Sequence, residues 1–314
     1  MSEQFHLVVG AGPIGSAVTR QLVAQGRRVR VVTRSGSGLD SPLVEKVVAD
    51  AGDATRMVEL AAGAGVIYNC VNPQYHRWAT DWPPVANALL AAAESSGAVL
   101  STTANLYGYG EVDAPMTEQT PLKGGYTKAQ VRIQMWQDAL AAHQAGRIRA
   151  TEARGADYVG PGSESHLGDR TIPKLLAGKN VQVLGSPDTL HTWTYTEDMA
   201  STLIAIGSDE RAWGRAWHVP SALECTQREA LARLAAMAGV PMPKVSTLSP
   251  LLLKALGLVN PQIRELPDVA YQMAQPFVMD SSAAQRELGL VPTSADDVLR
   301  AILSAYDAPV RRAA

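Results

Sequence analysis

The sequence predicts an α/β protein: a doubly wound parallel sheet followed by a smaller C-terminal α/β substrate domain. Three observations carry this. Short apolar runs alternate with helical stretches through the first 160 residues, the rhythm of strand–helix–strand units. Those runs are nearly continuous in their apolar character, as in strands buried on both faces. After Gly160 the rhythm breaks into a polar loop, short elements and a proline-rich stretch from Pro241 to Pro267.

Taken in order, Phe5–Val9 reads as a buried strand. Pro13–Gln25 follows as a helix with Ile14, Val18, Leu22 and Val23 on one face. Val29–Val32 and Val44–Ala49 are strands, Ala54–Ala62 a helix, and Val66–Asn69 a fourth strand. Pro84–Ser95 is an Ala/Leu-rich helix. Val99–Thr103 is a fifth strand, Thr127–Ala145 a long helix and Ile148–Arg154 a sixth strand. Beyond the loop Ser163–Arg170, a short helix (Ile172–Ala177) and short strands (Val181–Leu184, Thr192–Tyr195) precede a helix from Asp198 to about Gly207. Thr226 with Glu229 three positions on is a capping box for a helix through Met237. Asp280–Leu288 and Ala295–Tyr306 close the chain as helices. The expected division is a dinucleotide-binding domain over 1–160, its sheet completed by parts of 190–220, and a mainly substrate-binding domain over 161–314.

Composition excludes several classes. Lys+Arg is 28 against 30 Asp+Glu, with no basic stripe, which argues against a nucleic-acid partner. The two cysteines, Cys70 and Cys225, belong to no C-x-x-C pair, so neither a disulfide framework nor a zinc ribbon is expected, and no other cluster suggests a metal. The apolar run Leu251–Val259 is interrupted by Lys254 and is too short to span a bilayer. Met1, Ser2 and Glu3 lead straight into a strand without a leader pattern, and a cytoplasmic protein is expected.

Gly10-Ala11-Gly12-Pro13-Ile14-Gly15 is a G-x-G-x-x-G loop directly after a strand and at the start of a helix. Gly10 permits the tight turn, Gly12 a close approach of backbone to a pyrophosphate, and Gly15 close helix–strand packing. The helix start adds free N–H groups and a positive dipole end. This is the phosphate site of a Rossmann-type fold. The second strand ends Val31-Val32-Thr33-Arg34-Ser35, without the carboxylate that would bind a ribose 2′-hydroxyl. Arg34 can instead pair with a 2′-phosphate, so NADP(H) is expected over NAD(H). Asp53 could accept the adenine amino group or serve as a helix N-cap.

With the glycine loop, Asp53, Ser101–Gly108, Lys128, the Gly160-Pro161-Gly162 turn and Tyr195–Asp198 in order, the chain resembles the extended short-chain dehydrogenase/reductase superfamily. Within it, the likeness is to the NAD(P)-dependent epimerase/dehydratase branch. The resemblance covers almost the whole chain and names no substrate. It implies an enzyme that moves a hydride to or from a small organic carbonyl or alcohol.

It also assigns roles. Thr103 falls on the Ser/Thr position after the fifth strand and Leu106-Tyr107-Gly108 on the following turn; a hydroxyl there stabilises a developing oxyanion. The family's Tyr-x-x-x-Lys pair is broken. If Lys128 is the family lysine, Gly124 stands at the tyrosine position; if Tyr126 is the tyrosine, Gln130 stands at the lysine position. The register that keeps Lys128 continues the helix in the family's phase through Val131, Met135 and Leu140. Lys128 would then bind the nicotinamide ribose and could itself supply the proton, with Tyr126 able to approach if the helix starts after it. Cys70, after the fourth strand, lies where family backbone meets the ribose and nicotinamide half.

Tyr75, His76, Trp78 and Trp82, together with Tyr107, are candidates for a substrate wall, as are His191 and Trp193 where the family places substrate-lining residues. Relatives often pair as homodimers through two Rossmann helices, here 84–95 and 127–145. A second reading keeps the fold but not the chemistry: a non-catalytic NADP(H) sensor or ligand-binding module.

Overall fold

The computed structural model describes residues 4–249, 253, 255 and 257–306. Met1–Glu3, Pro250 and, in the apolar run, Leu251, Leu252, Lys254 and Leu256 lie outside them.

The chain runs β1 (Phe5–Val9), α1 (Pro13–Ala24), β2 (Val29–Thr33), β3 (Val44–Val48), α2 (Ala54–Ala61), β4 (Ala64–Asn69), α3 (Trp78–Ser96), β5 (Val99–Asn105), α4 (Thr127–Gln144) and β6 (Arg149–Gly155). β7 (Asp157–Val159), α5 (Ile172–Leu176), β8 (Val181–Val183), β9 (Leu190–Tyr195), α6 (Thr196–Ser208), β10 (Ala216–His218), β11 (Leu223–Thr226), α7 (Gln227–Ala238) and β12 (Val245–Thr247) follow. Seven strands form one parallel sheet in the order β10-β6-β5-β4-β1-β2-β3.

Successive residues of β1 enter opposite cores. Leu7 and Val9 join Met57, Trp82 and Leu89 of α2 and α3, whereas Val8 joins Val18, Leu22, Met199 and Leu203 of α1 and α6. That is why the strands show no in–out alternation. A third core under β9, β11, α5 and α7 gathers Trp193, Leu223, Leu231 and Leu299. The expected capping box at Thr226 and Glu229 is present. Among the described residues no helix is long and apolar enough to cross a membrane.

One boundary moves by more than two residues. α3 starts at Trp78, six residues ahead of the expected Pro84, and runs through Pro83 and Pro84. Trp78 and Trp82 are buried, so the added turn covers the core and offsets the ladder bonds its prolines omit. β7, β10, β11 and β12 were not legible; three or four residues are too few to show a period.

β1 and β4 are neighbours whose following helices lie on opposite faces, so the chain reverses direction there. The crevice outside their carboxyl ends is where such sheets bind ligands.

Candidate cofactor and active site

The glycine loop fills that crevice's floor. Gly10 has φ +100°, and a Cβ on it would lie 2.5 Å from the Cys70 carbonyl oxygen. A Cβ on Gly15 would lie 2.0 Å from the Gly10 oxygen. Both positions are closed to any side chain by backbone. Gly12 differs: a Cβ there meets nothing within 4 Å. Pro13 is the first residue of α1, and no side chain caps that helix. The loop therefore presents an open strip of backbone and an uncapped helix start, the arrangement a pyrophosphate requires. Gly162, in the turn after β7, comes near Pro13 on one side of the crevice.

Arg34, just beyond β2, is exposed and makes no ion pair among the described residues. Asp81 is held below the usual carboxylate range chiefly by its hydrogen bond from Arg77, with Arg34 adding to the effect. Asp53 is the N-cap of α2, its Oδ1 accepting from the Arg56 amide at 3.0 Å. Of the two roles open to it, this one is occupied.

At the end of β5 the Thr103 hydroxyl donates to Cys70 Sγ at 3.8 Å, so it is turned toward β4. Its carbonyl accepts from Arg132 at 3.2 Å. Burial pushes the Cys70 thiol up to about 12 and the Cys225 thiol up to about 11. Neither thiol of the folded protein is expected to react with a disulfide reagent at pH 8, while both should react in guanidinium. A fast-reacting thiol in native buffer would contradict this burial.

α4 begins at Thr127, so Tyr126 is its N-cap and swings clear of the helix. Its hydroxyl lies 3.3 Å from that of Tyr271. Tyr75 and Tyr107 share a second phenol pair at 3.2 Å. Lys128, four residues before Arg132, shares the buried face of α4 with it. Its Nζ pairs with Glu265 and lies 4.4 Å from the Tyr75 ring centroid. Arg132 sits over Trp78 and Trp82 at 4.8 and 4.4 Å. Burial raises the Tyr75 phenol to about 12 and pushes Tyr107 and Tyr126 well above the usual tyrosine range, so these are neutral donors near pH 7.

Gly124, the position a tyrosine would take in the Lys128 register, is sterically closed. A Cβ there would lie 2.5 Å from both Ala129 Cβ and the Tyr107 oxygen.

His76 is exposed beside Tyr75. His191 is buried, with Nδ1 3.2 Å from the Gln272 carbonyl and Nε2 2.8 Å from Asp157 Oδ2, off the line of a well-aligned hydrogen bond. Burial pushes the Asp157 carboxyl up, but the His191 imidazole outweighs this and holds it below its usual range. Trp193 is a core side chain, its Nε1 donating to the Cys225 carbonyl at 3.1 Å.

The structure thus gathers Tyr75, Tyr107, Tyr126 and Lys128 at one place, with the glycine loop and Cys70 at the ends of neighbouring strands. It turns the Thr103 hydroxyl to Cys70 and sets Trp193 beneath His191. Sequence reasoning missed Arg132, Asp157, Glu265 and Tyr271. Arg132 was readable as the residue one helical turn after Lys128. Glu265 and Tyr271 lie among short turns more than 130 positions from Lys128 and carried no signal.

The sequence pattern of the NAD-dependent epimerase/dehydratase family matches residues 6–218. No curated protein sequence matches. Among solved structures, the chain is similar to a UDP-glucose 4-epimerase of Thermotoga maritima with UDP-glucose. That pair shares 16% identity over 97% of this chain and 99% of that one, with a TM-score of 0.79. It is also similar to a UDP-glucuronic acid 4-epimerase of Bacillus cereus in complex with UDP-glucuronic acid and NAD (17% identity, 97% and 99% covered, TM-score 0.78). A dTDP-glucose 4,6-dehydratase of Streptomyces venezuelae with NAD bound is a third (21%, 97% of each chain, TM-score 0.76). At these identities the likeness shows the fold, and the matched two-thirds of the chain shows the lineage: the protein belongs to the NAD-dependent epimerase/dehydratase family.

Proposed function

We propose that the protein is an NADP(H)-dependent oxidoreductase or epimerase-type enzyme that moves a hydride to or from a small organic carbonyl or alcohol. The carrying observation is the backbone-only glycine loop at the switch point between β1 and β4, with the buried Lys128 against Tyr75 in the segment that follows β4. Gly10, Gly12, Pro13, Ile14 and Gly15 would hold the pyrophosphate, and Lys128 the nicotinamide ribose. Cys70 would meet that half of the cofactor through its backbone, and the free oxygen of Asp53 would meet the adenine. When bound, the cofactor supplies or accepts the hydride.

Two of the similar structures named above are described with NAD, but here Arg34 stands where an NAD site has a carboxylate. Arg34→Ala is expected to weaken NADPH binding by about tenfold or more and to leave NADH binding nearly unchanged. Equal weakening of both would remove Arg34 from cofactor selection.

On the substrate side, Tyr75, Tyr107 and the rim residue His76 would form an aromatic wall, while the buried His191 packs between Trp193 and Phe277. Residues 1–160 with parts of 190–220 serve the dinucleotide, and 161–314 mainly the substrate. A homodimer would use the Ala-rich helices α3 and α4.

One observation favours a second reading, a non-catalytic NADP(H) sensor or ligand-binding module: Glu265 and Tyr271 occupy Lys128 and Tyr126. A panel of carbonyl compounds with NADPH separates the two. Substrate-dependent NADPH oxidation supports the enzyme, and tight NADPH binding with no oxidation across the panel supports the sensor.

A further inference from the structure

A carbonyl–alcohol interconversion needs a group that takes and returns a proton. The tyrosine position is closed, because Gly124 cannot carry even a Cβ. The nearby phenols are neutral donors, raised by burial. Thr103 gives its hydroxyl to Cys70, and Asp157 lies against His191. What touches Lys128 Nζ is the Glu265 carboxylate.

We infer that Glu265 is the acid–base residue of this cleft, standing in for the tyrosine that position 124 excludes. The inference rests on the hydride-transfer reading above. An ammonium carries three N–H donors. One goes to Glu265, and the Tyr75 ring face covers a second direction. A third remains for a ribose hydroxyl. A Lys128 that held the ribose would hold the Glu265 carboxylate on the same nitrogen, and would so bring it toward the carbon that exchanges hydride. The Glu265 side chain is 29% exposed, so its proton can exchange with water.

In the oxidising direction the substrate O–H bond breaks and its proton passes to a Glu265 oxygen. The C–H electron pair leaves as hydride to the oxidised nicotinamide cofactor, and the C=O bond forms. Reduction reverses each transfer.

The test uses Glu265→Gln and Glu265→Ala in the full chain, with NADPH affinity by fluorescence and alcohol oxidation with NADP⁺. Both variants are expected to bind NADPH within about threefold of wild type, while kcat falls by about 100-fold or more. Added formate should restore much of the Glu265→Ala rate, because it supplies the missing carboxylate, and should leave Glu265→Gln slow, because the amide fills the space. Glu265→Gln turnover within about threefold of wild type, or NADPH affinity falling in step with kcat, would overturn the inference. A wild-type protein that binds NADPH yet oxidises no alcohol is a different result: it overturns the enzyme reading and this inference with it.

Discussion

Lys128→Met is expected to lose turnover by about a hundredfold or more while the protein stays folded. Lys128 is buried to 2% exposure, and its ammonium is held by Glu265 and the Tyr75 ring. Methionine matches the length of the stem, so the space beneath Tyr75 stays filled and no large cavity opens. The cost falls on Glu265, which loses its cation. At 29% exposure that carboxylate can turn to water, so the melting temperature should drop by only a few degrees. In the proposed mechanism, loss of the ammonium leaves nothing to hold a ribose hydroxyl near Glu265. Full turnover by a folded Lys128→Met protein would remove Lys128 from the mechanism. A melting temperature lowered by about 10 °C or more would instead show that the lysine serves the fold.

The second large effect separates two glycines three residues apart. Gly12→Ala should fold as wild type, within about 0.5 kcal/mol, because φ there is −69° and the new methyl meets nothing within 4 Å. It should nevertheless bind NADPH about a hundredfold or more weakly, because the methyl enters the space where the pyrophosphate must reach backbone. Gly15→Ala reverses the pattern of cause. Its methyl would lie 2.0 Å from the Gly10 oxygen, a backbone atom that cannot turn aside. Folding should lose about 2–4 kcal/mol, and cofactor binding falls as a consequence. Thermal melts and NADPH titrations on the pair check both halves. Gly12→Ala that binds NADPH like wild type would show that the loop is a turn and not a phosphate site.

The contrast also shows what was legible in the sequence. The loop's three roles follow from spacing alone, and the structure adds which glycine faces backbone and which faces open space. The first six strands of the sheet were readable from short β-rich runs set among helical stretches, but their order in the sheet was not. β10 was not: Ala216-Trp217-His218 is too short for a period, and its place beside β6 is set by the sheet edge.

The broken Tyr-x-x-x-Lys pattern was visible, but the partner of Lys128 was not. Glu265 reaches Lys128 through the tertiary fold, from a segment without regular periodicity. Asp157 lies two residues beyond a strand whose end could be read, yet its pairing with His191 depends on β7 and β9 being neighbours. The hydroxyl of Thr103 sits at the expected strand end, but its direction is set by Cys70, just past the end of the adjacent strand.

The central claim is that this crevice binds a 2′-phosphorylated nicotinamide dinucleotide, and a fluorescence titration of the purified protein with NADPH and with NADH tests it directly. Micromolar NADPH binding is expected, with NADH binding weaker by about tenfold or more. Equal affinity would return Arg34 to the surface as a loop residue and reopen NAD, and binding of neither would contradict the account at its root.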